Sequence, residues 1–81
     1  MYKYTKWSTR ETNCFTCTRH NLDKKDDDIE VSIIDDGKFK WASIELNVMI
    51  IPFHEQYQDS TQEEFERHFE YAKELINSIK L

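Results

Sequence analysis

Hydrophobic positions change period twice along the chain, and each change predicts a different element. Residues 2–9 combine aromatic and β-branched side chains, with Tyr2 and Tyr4 on one side and Trp7 on the other, and predict a first strand. Residues 10–28 show no sustained period and predict an irregular loop that ends in the acidic run Asp23-Lys24-Lys25-Asp26-Asp27-Asp28. Alternation then starts at Ile29, Val31 and Ile33. It breaks at Asp35-Asp36-Gly37 and resumes through Phe39 and Trp41, so the pattern predicts a hairpin. A two-residue Asp36-Gly37 loop would pair Ile33 with Lys40 and mix polar with apolar positions. A three-residue loop with Gly37 in the left-handed region pairs Ile33 with Phe39 and Val31 with Trp41, and keeps one face apolar. That second register is the expected one.

Beyond Trp41 the phase shifts, because Ala42, Ile44, Leu46, Val48 and Ile50 share a side. Either a bulge interrupts one long strand or a new strand begins near Ile44. Residues 48–51 are apolar on both faces, as in a central strand, and the run stops at Pro52, which has no N–H for a ladder. The second change of period comes at Ser60. Phe65, Phe69, Ala72, Ile76 and Ile79 recur at steps of four and three, widened by Leu75, while Glu63, Glu66, Glu70, Lys73 and Glu74 fall on the opposite side. Ser60 and Glu63 have the spacing of a capping box, so a helix is expected over residues 60–80. Together these elements predict one small α+β domain spanning residues 1–81. Its expected form is a three- or four-stranded antiparallel sheet with one C-terminal amphipathic helix packed on one face.

Composition narrows the function. A chain of 81 residues has little core to spare, and a single Gly excludes the glycine-rich turns that cradle nucleotide phosphates. No apolar run is long enough to cross a bilayer and the amino terminus has no signal-peptide pattern, so a cytoplasmic protein is expected. The net charge of −5 is uneven, with residues 1–20 basic and residues 21–36 strongly acidic. Such a balance opposes general attraction to nucleic acid and to anionic membranes, and favours a partner with a basic surface. The short length, and the poverty in Gly, Ala and Pro beside the wealth in Lys, Ile, Asp and Glu, suit a phage or mobile element with an AT-rich genome.

Three sets of residues carry candidate chemistry. Cys14, Cys17 and His20 have the spacing of half a zinc site, which His54 or His68 would have to complete, so zinc is the one cofactor the sequence offers. Lys3, Lys6 and Arg10 interleave with Tyr2, Tyr4 and Trp7, as on a single-stranded nucleic-acid platform or on the edge strand of an ordinary sheet. Asp26, Asp27 and Asp28, with Glu63, Glu66, Glu70 and Glu74, form the expected steering surface for a partner, and Phe53 and Tyr57 the expected aromatic anchors. No nucleophile accompanies the histidines in any catalytic spacing, so an enzyme is not expected. The leading expectation is a small acidic protein-binding module that inhibits or regulates a larger partner. The alternative is a zinc-stabilised domain that touches nucleic acid through its first strand. Self-association is left open by the apolar run near Val48.

Overall fold

A computed structural model of the protein describes residues 1–9, 11, 13–48 and 57–79. Five strands, β1 (Tyr2–Thr9), β2 (Cys14–Asn21), β3 (Asp28–Asp35), β4 (Lys40–Val48) and β5 (Gln58–Asp59), precede one helix, α1 (Gln62–Ile79). The sheet has the order β4-β3-β2-β1-β5, with every pairing antiparallel. The α+β architecture with a single C-terminal helix is therefore as expected, with five strands in place of three or four.

The additional central strand is β2, and it occupies the stretch expected to be an irregular loop. Its alternation is real but chemically unusual. Phe15, Cys17 and Arg19 point to one face, and Thr16, Thr18 and His20 to the other, where cross-strand neighbours on β1 and β3 share their side. Threonine is β-branched and suits a pleated surface even when the face is polar.

On the helix side, register builds two apolar rows across the sheet. Cys17 pairs with Val31 and Val31 with Ile44, while Phe15 pairs with Ile33 and Ile33 with Ala42. The core is Cys17, Val31, Ile33, Phe65 and Ala72, with Tyr4, Ile29, Phe69 and Leu75 packed around it. This register also corrects the expected hairpin. Ile33 faces Ala42 rather than Phe39, and Val31 faces Ile44 rather than Trp41, because Ala42 and Ile44 can lie beneath α1. Phe39 and Trp41 remain exposed. The turn is one residue longer than expected and rests on aspartates: Asp35 accepts from the Gly37 N–H, and Asp36 accepts from Lys38 and Phe39. Gly37 does take the left-handed conformation, at φ 89°. The bulge lies further along, where the β3–β4 register shifts between Asp28 and Glu30, beside Asn47 at φ 56°. The apolar run expected to form a central strand reaches past Val48 into residues 49–51, outside the described residues.

Helix α1 starts one residue later than the sequence pattern implied. Thr61 is the N-cap, with its Oγ1 accepting from the Glu64 N–H at 3.1 Å, and Ser60 instead donates its hydroxyl to the Glu64 side chain at 2.6 Å. Lys6 of β1 also reaches Glu64, tying the first turn of the helix to the sheet. Among the described residues no helix is long and apolar enough to cross a membrane.

One pairing works against the fold. Glu30 and Glu45 are direct cross-strand partners, and burial together with the Glu45 charge pushes the Glu30 carboxyl above its ordinary pKa. Like charges directly opposite are unfavourable, so Glu45→Lys is expected to raise stability by roughly 0.2–1 kcal/mol, read from the urea midpoint.

Candidate functional site

The cysteine cluster is not a metal site. Residues three apart on a strand project from opposite faces, so Cys14 and His20 lie on one side of β2 and Cys17 on the other. Cys17 is fully buried beneath α1, packed with Val31 and Phe65. His68 donates from Nε2 to the Phe15 carbonyl at 3.1 Å, and His54 lies outside the described residues. Among the described residues no group of three or more His, Cys, Asp or Glu side chains could hold a metal ion. The zinc expectation for Cys14, Cys17 and His20 is thus overturned by strand geometry: the CxxC spacing that converges on a knuckle diverges on a pleat.

Burial pushes the Cys17 thiol up to about 12, so it is not a thiolate near neutral pH. In native protein treated with a thiol-alkylating reagent, Cys14 is expected to be the modified residue, and Cys17 to react only under denaturing conditions. Peptide mapping by mass spectrometry reads this directly.

His20 belongs instead to a buried polar relay that the sequence did not reveal. Its Nε2 lies 2.7 Å from Thr5 Oγ1 and its Nδ1 lies 3.2 Å from Asp28 Oδ2. The second oxygen of Asp28 accepts from the Asn21 N–H at 2.8 Å. Burial pushes the His20 pKa below its ordinary value even though Asp28 opposes the shift, so near neutral pH the contact is a neutral imidazole donating to a carboxylate. Hydroxyl, imidazole and carboxylate in that order can activate a nucleophile. Here Thr5, His20 and Asp28 are only 2, 1 and 3 % exposed, so no substrate atom reaches Oγ1 without rearrangement. The relay joins β1, β2 and the start of β3. Beside it, the buried Thr18 Oγ1 has no hydrogen-bond partner among the described residues, and the half-buried Tyr57 ring sits 6.3 Å from the His20 ring. Burial and the Glu30 charge push the Tyr57 phenol up. The one readable signal was the alternation of Thr16, Thr18 and His20. Nothing in their spacing joins Thr5 to His20.

The residues expected to meet a partner divide into three groups. Glu63, Glu66, Glu70 and Glu74 are all exposed on α1, at steps of three, four and four, and form a single stripe. Asp26 is exposed and Asp27 half-buried, with Asp27 accepting from the Asn21 side chain. Asp28 is turned inward to His20 and cannot contribute to a steering surface. Tyr57 flanks the relay, and Phe53 lies outside the described residues. The basic aromatic strand β1 is an interior strand, between β2 and β5. Lys6 is bonded to Glu64, and the Tyr2 ring carries the Arg19 guanidinium at 4.4 Å from its centroid.

Depressions lie on both flanks of α1 where it crosses the sheet. A groove of about 330 Å³ lies along Phe15, Glu64, Arg67, His68 and Tyr71. A cavity of about 150 Å³ lies on the other flank, between α1 and the paired residues Arg19 and Ile29. Comparison with known proteins finds no matching family model, no matching curated protein and no matching solved structure.

Proposed function

We propose that this chain is a small, non-enzymatic, cytoplasmic protein-binding module that inhibits or regulates a larger partner, with the acidic outer face of α1 as its steering contact. The observation that supports this reading is that the stripe of glutamates is unfavourable for the helix that carries it. Glu66, Glu70 and Glu74 follow one another at i, i+4, a spacing at which like charges destabilise a helix by about 0.2–0.5 kcal/mol per pair. Among the described residues the last turn carries no basic residue to answer the helix dipole. Lys73 answers part of the stripe, through an exposed ion pair with Glu70 at 2.8 Å, and Gln62 donates its side-chain amide to Glu66 at 2.9 Å. A surface whose charges work against local stability suits a role in meeting a cationic partner, for which long-range attraction speeds encounter. The composition suits a chain encoded by a phage or mobile element.

The test replaces the stripe without disturbing the core. Glu66→Gln, Glu70→Gln and Glu74→Gln together are expected to leave the fold intact and raise its stability by a few tenths of a kcal/mol. The same variant is expected to lose, in low salt, a partner that the wild-type chain captures from its host and that high salt releases. Capture of the same protein by both baits, with the same salt dependence, would remove the helix face from the reading.

A further inference from the structure

We infer that the cavity beside α1 is an anchor pocket for one apolar side chain, best matched by a single aromatic ring, presented by a basic segment of the partner protein whose cations meet Glu66 and Glu70. The inference rests on the reading of the acidic helix face given above and adds what the partner must insert.

The cavity has an apolar floor and walls. Ile29 comes from β3, and the Phe65 and Phe69 rings stand with centroids 5.8 Å apart, tilted by 36°. Its volume of about 150 Å³ is of the order of a cavity that admits a benzene molecule. Charge decides what enters. Arg19 lines the pocket from β2 with its guanidinium stacked on Tyr2, and its buried Nε has no hydrogen-bond partner among the described residues. A lysine or arginine head driven into the pocket would meet that fixed positive charge, whereas a neutral ring would not. Glu66 and Glu70 lie on the exposed side of the same pocket and continue into the glutamate stripe. Cations belong there, outside the ring.

The chain itself illustrates the outer half of such a contact. The Lys73 ammonium pairs with Glu70 and lies 5.1 Å from the centroid of the Phe69 ring, so one cation already sits between carboxylate and aromatic wall. The pair is well exposed, and exposed pairs contribute little, so a partner's cation can displace it at small cost. A buried ring surrounded by screened charges is the usual form of an interface hot spot.

Two synthetic peptides, Lys-Lys-Phe-Lys-Lys and Lys-Lys-Ala-Lys-Lys, test this in low salt by two-dimensional NMR titration of the isotope-labelled full chain. The phenylalanine peptide is expected to shift the Ile29 methyl and Phe69 ring signals and to bind about tenfold more tightly than the alanine peptide. Ile29→Phe, which fills the pocket, is expected to bring both peptides to the weaker affinity. Glu66→Gln with Glu70→Gln is expected to weaken both peptides alike. Equal affinity of the two peptides for the wild-type chain, with shifts confined to the glutamates, would overturn the pocket and leave the acidic surface standing. Failure of both peptides to shift any α1 signal would overturn the two together.

Discussion

Phe65→Ala is expected to remove about 3–5 kcal/mol of stability, the usual consequence of emptying a buried aromatic site. Phe65 is 4 % exposed, with its ring 5.7 Å from Tyr4 of β1 and 5.8 Å from Phe69 one turn on. It sits in the first turn of α1, directly after the Thr61 cap, where the helix meets the sheet. Among the described residues α1 is the element that covers Val31, Ile33 and Cys17, so loosening its first turn exposes the central apolar rows as well. A chain of this length has a total stability of roughly 4–12 kcal/mol, so the variant loses a large part of it. Urea unfolding followed by circular dichroism measures the loss. Leu46→Ala is the control, since Leu46 is exposed and should change the midpoint little. A shift for Phe65→Ala as small as the control's would mean that α1 does not seal the sheet as described.

What could be read from the chain depended on whether a residue's role was set by its neighbours in sequence or by its neighbours in space. The stripe of α1 was legible because Phe65, Phe69, Ala72 and Leu75 repeat within one element. Its start was misplaced by one residue because Ser60 and Thr61 both have capping chemistry, and the choice between them rests on Lys6, a residue of β1, drawing Glu64 to the sheet. The β3–β4 hairpin was legible as a hairpin, but its register was not. Local alternation favours pairing Phe39 and Trp41 with β3, and only the presence of α1 above Ala42 and Ile44 selects the observed pairing.

The candidate site was less legible, for a related reason. Cys14, Cys17 and His20 suggest metal only if the backbone turns between the cysteines, and the sequence from Phe15 to His20 is Thr-rich and aromatic, which favours a pleat. Once β2 is extended, the same three residues are divided between two faces, and their chemistry changes: Cys17 becomes core and His20 becomes the centre of a relay. Asp28 falls in the acidic run expected to steer a partner because its sequence neighbours are charged. The hydrogen bonds to His20 and Asn21 that draw it inward come from β2, across a turn that no local pattern describes.

His20→Ala is expected to be about as damaging as the loss of Phe65, through a different mechanism. Removing the imidazole strands the Asp28 carboxylate, 3 % exposed, with the Asn21 N–H and no side-chain partner from β2, and it takes from the buried Thr5 hydroxyl its contact at 2.7 Å. Leaving a buried polar group short of its hydrogen-bond donor costs about 1–3 kcal/mol, more where the group is charged, and the cavity left by the imidazole adds to it. Thr5→Val, which deletes the hydroxyl and keeps the shape, should cost nearer 1 kcal/mol, and the two changes together should cost less than their sum, because each removes the same hydrogen bond. The relay also sets a pH dependence whose sign is fixed. Burial holds the His20 and His68 pKa values below the ordinary value of about 6.5, so the unfolded chain binds protons that the folded chain refuses. Their contribution is complete above that ordinary value and is lost as pH falls from it towards the folded-state values, at up to about 1.4 kcal/mol per pH unit for each imidazole. Glu30 acts in the opposite sense. Its carboxyl is held above the ordinary value, so its protonation at lower pH favours the folded state, and the histidine signature is clearest just below pH 6.5. Lys3 and Asp28 face the same ring, Lys3 lowering its pKa and Asp28 raising it, and Tyr57 lies beside it. Chemical denaturation at a series of pH values should show the wild-type stability declining in that window and the His20→Ala variant declining less steeply, with His68 contributing to the slope that remains. Parallel curves for the two proteins would mean that His20 does not titrate against burial, and the relay would then lack the neutral imidazole on which its geometry depends.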